Sequence, residues 1–77
     1  MIAAYILILA EPGKAATVAA ALRDVPGVLE AASVAGPYDV IARAQAPDID
    51  ELAKLAASRV QALDGVTRTL TCPVIHL

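Results

Sequence analysis

Four consecutive residues, Gly36-Pro37-Tyr38-Asp39, gather the most varied chemistry in this sequence: a permissive backbone position, a rigid one, a phenol and a carboxylate. Tyr38 is one of two tyrosines in a chain without Phe or Trp. It reads either as a core or dimer-contact aromatic or as a ligand contact, and the turn itself is a hairpin turn whether or not anything binds it. Thr69 and Thr71 place two hydroxyls on one face of a strand, although threonine is also a good strand former on any edge. Cys72 and His76 are four apart on the same strand. Two ligands near a terminus do not make a metal site, so they read as a small hydrophobe and a strand-end polar group. Asp48, Asp50 and Glu51 fit a helix N-terminus, where the dipole favours acids, better than catalysis or cation binding. Lys54 and Arg59 read as a solvated helix face, with Arg59 or Arg68 available to pair across subunits. With one histidine and no nucleophile beside a base, the chain is poorly equipped for turnover.

The elements that position these residues are legible. Ala3 to Leu9 is a short apolar run that reads as a central strand buried on both faces. Lys14 to Arg23 follows with Ala15, Val18, Leu22 and then Val25 at helical spacing, and Pro26-Gly27 stops it. Val28 to Val34 reads as a second strand. The turn at 35–38 leads into a third, Asp39 to Ala46, where Val40, Ala42, Ala44 and Ala46 alternate with Ile41, Arg43 and Gln45. After Pro47, Asp48 and Glu51 predict a reciprocal capping box for a second helix with Ile49, Leu52, Ala56, Val60 and Leu63 on one face. Asp64-Gly65 ends it, and Val66 to Leu77 forms a fourth strand.

This βαββαβ order consists of two halves, with "VPGVLEAA" after the first helix answering "LDGVTRTL" after the second. Right-handed crossovers in both halves interleave the strands as 4-1-3-2, a ferredoxin-like α+β fold with an antiparallel sheet and both helices on one face. The fourth strand is then an edge strand, where Pro73 wastes no ladder bond. The opposite face needs a cover, and a second subunit's sheet is the simplest one.

Composition agrees. A 77-residue chain is one domain, and at this size folding buries only about 60% of the unfolded surface. Of its residues 58% are apolar and mean hydropathy is +0.66, yet the large aromatics are few. Surplus apolar surface on so thin a domain predicts self-association. A net charge of −2, a pI near 5.0 and six scattered basic residues argue against direct nucleic-acid binding. The opening apolar stretch is too short to span a membrane and has no leader-like flanks, and a single cysteine permits no internal disulfide, so a cytoplasmic location is expected.

The segments "AYILILAEPGK", "VPGVLEAASVAGPYDVIARAQA", "PDIDEL" and "LDGVTRTLTCPVI" closely resemble the effector (RAM) domain of the Lrp/AsnC family. The most specific parts are the turn Gly36, Tyr38, Asp39 and the strand Gly65, Val66, Arg68, Thr69, Thr71. The resemblance implies sheet-stacked dimers of the dimeric α+β barrel type, rings of dimers, and free amino acids held between dimers. Neither a metal nor a cofactor is expected. Family members typically carry an N-terminal helix-turn-helix. Here Met1 directly precedes the first strand, so residues 1–77 are expected to be a single stand-alone effector domain without a DNA-binding domain. It would sense a metabolite, co-assemble with full-length Lrp/AsnC regulators, or both.

On that resemblance the candidate ligand-binding residues are Gly36, Pro37, Tyr38, Asp39, Thr69 and Thr71. A free amino acid is a zwitterion, so its site needs acceptors for the ammonium and donors for the carboxylate. Gly36 permits close backbone approach and Pro37 fixes the turn. Asp39 is a candidate acceptor from the ammonium, or simply a partner for turn amides. Thr69 and Thr71 are candidate donors to the carboxylate. The rival readings are a small ferredoxin-like dimeric enzyme, of monooxygenase or isomerase type, and a structural adaptor without a ligand.

Overall fold

The computed structural model describes residues 1–75. Its elements are β1 (Ile2–Ala10), α1 (Ala15–Arg23), β2 (Val28–Ser33), β3 (Val40–Ala46), α2 (Ile49–Lys54) running straight into a π-helical segment (Leu55–Val60), and β4 (Val66–Pro73). The four strands form one antiparallel sheet in the order β2-β3-β1-β4, the expected order read from its other edge. Both helices pack on one face. There Ala4, Ile6 and Ile8 of β1 and Val40, Ala42 and Ala44 of β3 meet Val18, Leu22, Leu52 and Val60, and no residue of this set is more than 1% exposed.

The internal repeat is a repeat of turns. Val25-Pro26-Gly27-Val28 and Leu63-Asp64-Gly65-Val66 are each closed by the amide of the last residue donating to the carbonyl of the first, at 3.0 and 3.2 Å. The third position has φ +97° in one and +95° in the other, a geometry that favours glycine. Each glycine carbonyl then accepts from a neighbouring chain segment, Gly27 from the Gln45 amide and Gly65 from the Glu11 amide, both at 2.8 Å. A Cβ on Gly65 would lie 3.1 Å from Val18 Cγ2, so a side chain there would also crowd the first helix.

Several expectations are corrected. β1 is central, but only its helix-facing side is buried within one chain: on the other side Tyr5 is 46% exposed. The second helix does not keep one α-helical phase. Its π-helical segment, closed by Gln61 N–H donating to Ala56 O at 3.1 Å, begins at Leu55, which is buried along with Ala56 and Val60, while Ile49 stays 54% exposed. Asp48 Oδ1 accepts from the Glu51 amide at 2.9 Å, but the Glu51 carboxylate turns to Lys54 at 3.3 Å and not back to the cap, so only half of the box forms. The fourth strand ends at Pro73, so Val74 and Ile75 of the expected strand lie beyond it, and its last two expected residues, 76 and 77, lie outside the described residues.

Candidate functional site

The hairpin between β2 and β3 is pinned at its base. Val34 N–H donates to Asp39 O and Asp39 N–H donates to Ile8 O, each at 2.9 Å. The Asp39 carboxylate then takes the place of a ladder carbonyl, because its Oδ2 accepts from Ala10 N–H at 2.8 Å. One oxygen of Asp39 therefore holds the turn to the end of β1, which favours the structural role weighed for it. Gly36 and Pro37 are exposed, and Tyr38 and Asp39 are half-buried, with Tyr38 outside the hydrophobic core cluster. Gly36 has no positive φ, and a Cβ placed on it would meet nothing within 4 Å. Neither its own backbone nor its own chain requires a glycine there.

The two threonines lie elsewhere. Residues directly opposite in an antiparallel pair share a face. Thr69 opposes Ile8 and Thr71 opposes Ile6, so both sit on the helix-covered face of the edge strand. Thr69 Oγ1 accepts from Gln61 Nε2 at 3.2 Å. Thr69 lines a shallow polar depression of about 270 Å³ with Thr67 and Arg68, and Thr71 lines an apolar groove of about 310 Å³ beside Ile49 and Ala57. The whole of β1 separates them from the turn, about 10 Å at two strand spacings. A single chain thus brings Gly36–Asp39 together and leaves Thr69 and Thr71 apart from them.

The open face of the sheet is ordered in rows. Ala32, Ile41, Leu7 and Leu70 run across it, and Glu30, Arg43, Tyr5 and Cys72 form the next row. The first is wholly apolar, with Leu70 49% exposed. The second is anchored by Arg43 Nε donating to Glu30 Oε1 at 3.0 Å. Cys72 is exposed on this face, while His76, four residues on, lies outside the described residues. The two sheet edges also differ. Arg23 reaches over β2 and donates from Nε and Nη2 to Ala31 O at 3.2 and 2.9 Å, so a guanidinium occupies that edge.

One feature was not foreseen from the sequence. A groove of about 450 Å³ lies at the opposite end of the sheet from the 36–39 turn, between Pro26-Gly27, the end of β3 and the second helix. Its residues come from three separate stretches of chain, and no local spacing signals it.

The model of the Lrp/AsnC ligand binding domain family matches residues 3–76. An uncharacterized HTH-type transcriptional regulator of Pyrococcus furiosus is 31% identical over 71 residues, which covers 88% of this chain and 47% of the regulator. The chain therefore spans about half the length of that curated relative. Among solved structures, TTHA0845 of Thermus thermophilus superimposes with a TM-score of 0.92 at 32% identity, covering 100% of this chain and 96% of that one. The transcriptional regulator NMB0573 of Neisseria meningitidis, solved as a complex with L-Met, shares the fold with a TM-score of 0.85 at 21% identity, over 97% of this chain and 50% of its own.

Proposed function

The chain belongs to the Lrp/AsnC ligand-binding domain family, and from that premise we propose that it is an amino-acid-binding and oligomerisation module rather than an enzyme. The observation that carries this reading is the open sheet face combined with a divided site. Tyr5 and Leu70 are 46% and 49% exposed on a face where the row Ala32, Ile41, Leu7 and Leu70 is wholly apolar. A second copy stacked on that face would cover it. Further contact between such dimers would bring the 36–39 turn of one to the surface of another. The unused space over Gly36 is then room for a ligand's main-chain atoms, and the second Asp39 oxygen, which has no hydrogen-bond partner among the described residues, is an acceptor for an ammonium. Thr69 and Thr71 would complete the site from a neighbouring subunit, which accounts for their separation from the turn in one chain.

The L-Met complex of the Neisseria regulator supports an amino acid as the effector class. The Pyrococcus relative supports a role in transcription, which we assign to co-assembly with full-length regulators, in the cytoplasm. No described helix is long and apolar enough to cross a membrane.

The test is a thermal-shift screen against the free amino acids, paired with light scattering. A ligand at a hundredfold excess over its dissociation constant stabilises the native state by about 2.7 kcal/mol, which raises the midpoint of a domain this small by several degrees. At least one amino acid is expected to do so, on a species larger than a dimer. A flat screen on a monodisperse oligomer would leave a structural adaptor, and a monomer at micromolar concentration would remove the site altogether.

A further inference from the structure

We propose that the groove remote from the 36–39 turn is a separate small-molecule site, and that it takes a monocarboxylate with a short apolar tail. Its floor is built. Gly27, at φ +97°, is packed so closely that a Cβ would lie 3.1 Å from Gln45 O and 3.3 Å from Leu55 Cδ2. Leu55 itself is only 9% exposed, and with Ala46 and Pro47 it makes an apolar wall. At about 450 Å³ the groove falls in the range of small-ligand sites.

The rim decides the charge of the ligand. Lys54 and Arg59 both line it, against Glu51 as its one carboxylate. Glu51 is already engaged by Lys54 at 3.3 Å, whereas the Arg59 guanidinium makes no ion pair or hydrogen bond among the described residues. One net positive charge over an apolar wall matches a single carboxylate with a hydrocarbon body. It does not match an amine, for which no free acid remains, nor a doubly charged phosphate. A guanidinium holds a carboxylate through paired N–H donors, the geometry for which it is best suited. The backbone supports the assignment. Leu55 and Arg59 both lie in the π-helical segment, with Leu55 buried and Arg59 on the surface. Such turns recur at functional sites.

The experiment is an amide-resolved NMR titration of the intact chain with hexanoate, using hexylamine as the charge-inverted control. Hexanoate is expected to shift the amides of Gly27, Ala46 and residues 55–59 with a dissociation constant of about 1 mM, a reasonable value for so small a ligand. Hexylamine should leave them in place. Arg59→Gln, on an exposed side chain, should weaken hexanoate about three- to tenfold without changing the spectrum of the free protein elsewhere. Equal shifts from hexylamine, shifts that avoid these amides, no shifts, or undiminished affinity in the Arg59→Gln variant would each overturn the proposal. None of these outcomes depends on the site at the 36–39 turn, whose binding would be read at Asp39 instead.

Discussion

The two faces of the sheet are made from the same strands by the same alternation, yet they end differently. On one face Ala4, Ile6 and Ile8 and Val40, Ala42 and Ala44 are all 0% exposed beneath two helices. On the other, Leu7 and Ile41 are half-buried, Tyr5 and Leu70 are largely exposed, and an Arg43–Glu30 pair stands among them. The difference teaches that apolar content does not determine burial. Burial depends on what the chain has left to lay over a surface, and 77 residues supply only two short helices. The covered face holds the core of the domain, and the open face leaves apolar surface uncovered within one chain.

Substitutions at four positions break or sharpen that contrast. The largest effect should come from Ile6→Ala, which empties a site of 0% exposure. It is expected to cost about 3 kcal/mol in urea denaturation, whatever the protein concentration. Leu70→Glu, on the open face, should leave the folded chain intact but put an unpaired carboxylate into any stacked interface. Light scattering should then show dissociation, with association weakened by about 2 kcal/mol or more. A Leu70→Glu protein that assembles as before would show that this face is not the interface. Asp39→Ala removes the acceptor for Ala10 N–H and should cost about 1 to 2 kcal/mol in the same urea assay. Under the proposed function it should also abolish the thermal response to amino acids, while Asp39→Asn keeps part of the stability and not the response. The smallest effect is that of Arg43→Gln. Its partner Glu30 is exposed, so in dilute protein the loss should be about 0.5 kcal/mol and shrink with salt. A larger, salt-insensitive loss at high concentration would mark the pair as covered by a second copy.

Much of the fold was legible because its signals are local. The alternation from Val40 to Ala46 specifies a strand with one buried face, and Pro26-Gly27 and Asp64-Gly65 specify turns that need a positive φ. Asp48 announces its cap. What escaped was set by distant contacts. Asp39 looked as free to bind a ligand as to serve the backbone, and the structure gives one of its oxygens to Ala10, a residue 29 positions away. The π-helical segment has no pattern of its own: the seating of Leu55 against Gly27, at the far side of the molecule in sequence, accompanies the change of phase. The candidate site was legible as a set of residue types at the turn and on the fourth strand, but not as a pocket, since one chain leaves β1 between them.

The sequence by itself determined the order of elements, the pairing of its two halves and the excess of apolar surface over what they can cover, because periodicity, turn chemistry and composition act at short range. Only the tertiary structure decided which of the two apolar faces the helices take, which sheet edge Arg23 blocks and where the grooves fall. Those outcomes depend on side chains that meet across the sheet from remote parts of the chain, and no spacing along the sequence encodes such meetings.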